Sequence, residues 1–280
     1  MNLTEKLNEF TASNADNPDM DLDSILTEMI ENIGHPDPEL RDRVIYTTFY
    51  NWVTKDILSP AQLIRLLQTS INDEHLFYKI GERGTDSVFT RSFSSLAAAL
   101  VIEKDAEILA VPKELIMEGI RKSIFYLNEE RDTRGYVQSK GWAHSIAHGA
   151  DLLAAAINHP YFNKDLIPAC LGSIRNCYGK EAVYMDDEDE RLIFAIEALL
   201  KKGLTKQEML LWLGELNLEL KSYYHSTGFT VPFFRKKKNL LDFMKSLYFR
   251  IGQLEGYEGV RYEVHSMVNT WHTDVYTSQE

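Results

Sequence analysis

Apolar side chains recur at three- and four-residue intervals along almost the whole chain, which leaves it little to form except helix. Leu22, Ile25, Leu26, Met29, Ile30 and Ile33 make one such face, and Gly34 supplies its stop. Asp37-Pro38 restarts a helix as cap and first-turn proline, carrying Val44, Ile45, Thr48, Phe49 and Trp52. Ser59-Pro60 does the same for Leu63, Ile64, Leu66 and Leu67. Further helices are predicted near 73–80, 87–104, 112–129, 141–158, 164–177, 186–202, 206–222, 233–254 and 259–272. Ser87, Asn163 and Thr205 are candidate starts; Gly203 and Gly256 are candidate stops. Only Tyr223–Val231 offers a short extended piece.

The expected fold is therefore all-α. Short connections between helices predict antiparallel hairpins. The opening Gly-His-Pro-Asp-Pro-Glu-Leu-Arg-Asp of the 34–71 unit resembles the first helix of HEAT-type repeats. An irregular α-solenoid of the HEAT or armadillo kind is the leading architecture, with a compact bundle or an α/α toroid as the alternative. No low-complexity segment divides residues 1–280, so one domain is expected, with a soft boundary near 178–186.

Charge narrows the choice of partners. Thirty Lys plus Arg against 42 Asp plus Glu leave a net charge of −12, a field that repels phosphate backbones and anionic lipid. No nucleic acid and no membrane surface is expected as a partner; a protein or a small polar or anionic ligand is. Two cysteines, Cys170 and Cys177, stand seven apart in a predicted helix, about 10.5 Å of rise and too far for a bridge. Met1–Lys6 lacks the basic and apolar regions of a secretory signal, and no apolar run is long enough to span a bilayer. The cytoplasm is the expected location.

Residues 141–158 break the pattern: they contain no Lys, Arg or Glu. On a helical wheel Ile146, Ala147, Ala150, Leu153, Ala154 and Ile157 form a wide apolar arc, and His144, His148, Asp151 and Ala155 fall on the opposite flank. A flank without long charged side chains is either covered or lines a cavity. The two histidines are one turn apart, with Asp151 within reach of either. Three uses are open: a structural polar network, a divalent metal site such as zinc on His144, His148 and Asp151, or a pocket for an organic ligand. The intervening Glu of His-Glu-x-x-His proteases is missing.

Two charged connections carry further candidate residues. Glu129–Tyr136 places Asp132 and Arg134 before it, either as a bracing ion pair or reaching into the pocket beside Trp142. Gly81–Phe93 carries Asp86 as a ready N-cap and Arg83 and Arg91 as a candidate anion site. Asp186–Glu190 reads as a solvated helix start, because it lacks calcium-loop spacing. Arg235–Lys238 reads as a solvated basic turn, and Tyr223-Tyr224-His225 and Trp271-His272 as packing or capping residues. No P-loop, dinucleotide fingerprint, Cys-x-x-Cys or Gly-x-Ser-x-Gly elbow occurs.

The strings Gly-Thr-Asp-Ser-Val-Phe-Thr-Arg-Ser-Phe-Ser, Arg-Asp-Thr-Arg-Gly-Tyr-Val and Gly-Trp-Ala-His-Ser-Ile-Ala-His-Gly-Ala-Asp-Leu resemble a bacterial family catalogued only as a domain of unknown function. The resemblance covers roughly 30–260 and implies an all-helical cytosolic protein without an assigned activity. Two functions are thus in play. The first is a binding or interaction protein with a buried polar pocket centred on His144, His148 and Asp151. The second is a metal-dependent hydrolase or related enzyme using the same residues, with a third ligand from His75, Asp86, Glu130 or Asp132.

Overall fold

The computed structural model describes residues 3–5, 7, 21–180 and 182–276. After α1 (Leu22–Glu31), whose Asp21 cap accepts from the Asp23 and Ser24 amides, a π-helical stretch Glu39–Tyr46 runs into α2 (Thr47–Thr54). Then come α3 (Pro60–Ser70), α4 (Ser87–Ile108), α5 (Lys113–Glu129), α6 (Ser145–Asn158) and α7 (Ile167–Gly179). The series ends with α8 (Glu188–Lys201), α9 (Lys206–Thr227), α10 (Val231–Ile251) and α11 (Glu258–Tyr276). Ser59 with Gln62, and Thr205 with Glu208, close reciprocal capping boxes at α3 and α9. Among the described residues the protein is all-α apart from one two-stranded hairpin.

That hairpin joins β1 (Tyr136–Val137) to β2 (Gly141–Trp142), antiparallel with Tyr136 opposite Trp142. The sequence puts its extended piece elsewhere, at Tyr223–Val231, but there α9 continues to Thr227 and Thr230 already caps α10. The predicted helix at 73–80 is a run of turns. Asn72 Oδ1 accepts the Glu74 amide, and the Tyr78 and Lys79 carbonyls turn out to Arg91, so the segment cannot close helical hydrogen bonds.

Helices pack on their next-but-one neighbours. In one row α2 lies on α4, α4 on α6, α6 on α8 and α8 on α10; in the other α1 meets α3, α5 meets α7 and α9 meets α11. The apolar core is correspondingly split in two, and α6 belongs to both halves. Leu152, Ala155 and Ala156 join the cluster built on α1 to α5, whereas Ile146, Leu153 and Ile157 join the cluster built on α7 to α11. Twelve of the 14 residues of α6 are buried, which accounts for a helix without long charged side chains. Gly149 lets it approach α5 closely, because a Cβ there would meet Tyr126 and Leu127 at 2.7 and 2.8 Å. Cys170 and Cys177 are free and buried. Among the described residues, no helix is long and apolar enough to cross a membrane.

Candidate functional site

The short hairpin sets the start of α6. The Ala143 and His144 amides donate to the Gly135 and Arg134 carbonyls at 2.8 and 3.0 Å, which swings the chain so that α6 begins at Ser145, not at Gly141. His144 is therefore the N-cap, in the left-handed region at φ 47°, and its carbonyl accepts the His148 amide. Arg41, fully buried, holds the hairpin from outside by donating to the Lys140 and Trp142 carbonyls at 2.6 and 3.3 Å. Its guanidinium lies over the Phe89 and Phe93 rings.

The two imidazoles come together as the spacing predicts. Their ring centroids are 5.5 Å apart, edge to face, and Trp142 stacks on His144 at 4.3 Å. His148 is 7% exposed. The Ser92 hydroxyl has one proton, which it donates to the Ala143 carbonyl, so His148 Nδ1–H donates to Ser92 Oγ at 2.7 Å. The lone pair of this ring is thus on Nε2. Burial, reinforced by coupling to His144 and by the charge of Arg191, holds His148 well below the ordinary imidazole range, and the ring is neutral.

Asp151 does not join the histidines. Its two oxygens face Arg191, with Nε to Oδ1 at 2.7 Å and Nη2 to Oδ2 at 2.5 Å. The carboxylates beside His144 are Asp186 and Glu188, and one donor atom from each of the three lies within 4.8 Å of the others. The acidic run is therefore more than a solvated helix start: Glu188 is 2% exposed, and burial raises its pKa. Asp187, at φ 66°, stands at the N-cap position of α8 without a side-chain cap bond, and Glu188 Oε2 accepts the Asp186 amide at 2.9 Å. Asp186 Oδ2 in turn accepts the Tyr136 amide at 3.0 Å. A Cβ on Gly135 would overlap that carboxylate, so glycine is required there.

Neither carboxylate of this trio has an ion-pair partner among the described residues, because Arg134 is taken by Asp132 and Arg191 by Asp151. His144 Nε2 is buried without a hydrogen-bond partner. Burial lowers the pKa of His144, against the opposing pull of the Asp186 carbonyl and carboxylate. One nitrogen and two carboxylate donors with uncompensated negative charge suit a divalent cation.

The other residues singled out from sequence are engaged elsewhere. Arg91 is fully buried and forks onto Glu130, with Nε to Oε2 at 2.7 Å and Nη2 to Oε1 at 2.9 Å, so it offers nothing to an outside anion. Arg134 grips Asp132, whose Oδ2 also accepts the Gly84 amide, as the bracing pair expected at this turn. Asp86 stands at the N-cap of α4, but its carboxylate pairs with Lys140 at 2.7 Å and does not cap. Arg83 is exposed, and His75 Nδ1 meets Asn72 Oδ1 at 3.0 Å. None of His75, Asp86, Glu130 and Asp132 joins His144 as a third donor. Asp186 and Glu188 were visible only as an acidic run, with no spacing that ties them to a histidine forty residues earlier.

Beyond Asp151 the same flank of α6 floors a cleft of about 410 Å³, walled by α4 and α8. Tyr46, Glu103, Asp151, Asn158, Arg191 and Lys201 line it. Burial, with the negative field of Asp151 and Glu103, pushes the Tyr46 hydroxyl up to about 12.

A family model described as a protein of unknown function (DUF2785) matches residues 76–249, which include the hairpin, α6 and all three donors of the cluster. No curated protein and no solved structure matches the chain.

Proposed function

The chain belongs to the DUF2785 family, a membership that assigns no chemistry, and we propose that it is a metal-dependent hydrolase with its ion on His144, Asp186 and Glu188. The observation that carries this reading is the convergence of the three donors within 4.8 Å, two of them carboxylates without a basic partner. Three protein ligands are the count of a catalytic site, which keeps a position open for water or substrate. His144, Asp186 and Glu188 would hold a divalent ion there, and such an ion would supply a bound water with a pKa lowered toward neutrality. Neutral His148, one ring from His144 and with its Nε2 lone pair free, is the proton acceptor. His148 thus serves as base and Asp151 as the anchor of Arg191, instead of both serving as ligands.

The frame we infer for this centre is an irregular solenoid of helical hairpins. The stacking of alternate helices in two rows supports it. Two free buried thiols in place of a disulfide support residence in the reducing cytoplasm.

Untagged protein, stripped with chelator and reloaded with Zn²⁺ or Mn²⁺, should retain about one equivalent after gel filtration, and His144→Ala and Glu188→Gln should each lose it. The loaded protein should cleave members of a panel of chromogenic esters and amides. His148→Asn should keep the metal and lose most of the rate. Retention below about 0.1 equivalent in wild type refutes the centre; full loading with no cleavage of any panel member refutes the hydrolase.

A further inference from the structure

We propose that the cleft between α4, α6 and α8 binds a small zwitterion, a free amino acid with an apolar side chain. Most charges of the cleft are already answered within the fold. Asp151 and Arg191 neutralise each other on its floor and wall, and Glu197 is held by Arg250 at 2.8 Å. Two charges are left, Glu103 at the end of α4 and Lys201 at the end of α8. They have opposite sign, stand on facing walls, and neither has an ion pair or hydrogen bond among the described residues.

A ligand that completes such a cleft carries an ammonium for Glu103 and a carboxylate for Lys201. Partial desolvation of its carboxyl inside the cleft, and then the Asp151 field, raise the pKa of the otherwise exposed Glu103, a cost that an incoming ammonium would relieve. Tyr46 and Tyr50 line the same cleft, and aromatic rings there favour a cation. Asn158, the last residue of α6, lines the cleft as well and adds an amide.

The side chain has its own place. Lys201 also borders a second cavity of about 720 Å³, lined by Leu200, Phe249, Leu254 and Tyr257. Phe249 is 71% exposed there, a large ring left to solvent beside a charge that would fix a carboxylate. A carboxylate on Lys201 therefore directs an apolar side chain over Phe249 and Leu254. The inference is independent of the metal, since none of the three proposed ligands lines either cavity.

Isothermal titration of the full chain in excess chelator, with L-phenylalanine, its N-acetyl derivative and its methyl ester, tests the proposal. Phenylalanine should bind, and each capped form should bind about ten-fold or more weakly, a loss of about 1.4 kcal/mol. Glu103→Gln should abolish discrimination against the N-acetyl form, and Lys201→Met discrimination against the ester. Both side chains are exposed, so neither change should unfold the protein. Binding by none of the twenty amino acids, or tolerance of either cap, overturns it. Because the titration is run without metal, its failure leaves the hydrolase reading untouched, and His144→Ala should bind phenylalanine as wild type does.

Discussion

An arginine with no solvent to face needs a counter-ion inside the protein, and Arg91 has one in Glu130. Removing one partner of a fully buried pair leaves the other uncompensated, so Glu130→Ala should cost about 3–5 kcal/mol in urea denaturation. A loss below about 1 kcal/mol would mean that water reaches the pair. His148 gives a second prediction at this scale. Its folded-state pKa lies well below the unfolded value near 6.5, so acid protonates the unfolded chain first. Stability should therefore fall as pH drops from about 7 to about 5. His148→Asn keeps a donor for Ser92 but cannot titrate, and its urea midpoint should depend less on pH across that window. Sequence reading paired the imidazoles by a helical spacing of four, and the rings do meet, although His144 stands before α6 as its left-handed N-cap and not within the helix. It could not find Asp186 and Glu188, whose approach depends on a hairpin, a left-handed Asp187 and a missing Cβ at Gly135.

At the scale of elements, caps and stops were legible because their chemistry is confined to four or five residues. Thr205 closes the box with Glu208, and Gly203 takes a positive φ just past the end of α8, whereas α10 stops at Ile251, five residues before the Gly256 expected to end it. The hairpin at 136–142 was not, since two strands of two residues each are too short to alternate. Helix α6 shows how packing overrides propensity. Gly149→Ala should gain about 1 kcal/mol from helix propensity alone. The new methyl would meet the Tyr126 ring and Leu127, both buried, and overpacking costs about 1–3 kcal/mol. The variant should therefore be less stable than wild type by thermal denaturation. A stabilised variant would mean that α5 and α6 separate easily.

For the molecule as a whole, the shared helix makes the two halves of the core interdependent. Trp52 lies in the first cluster and Trp212 in the second, and α6 supplies side chains to both. Single-tryptophan variants that keep one or the other should report the same urea midpoint, because neither cluster is complete without α6. Two separated midpoints would identify the halves as independent folding units. The thiols on α7 add a consequence of their own. Burial pushes Cys170 up to about 12 and Cys177 to about 11, so neither can react while the helix is seated. The rate at which an alkylating reagent consumes them is then a clock for the breathing of α7 away from its neighbours, and a ligand that tightens the fold would slow it.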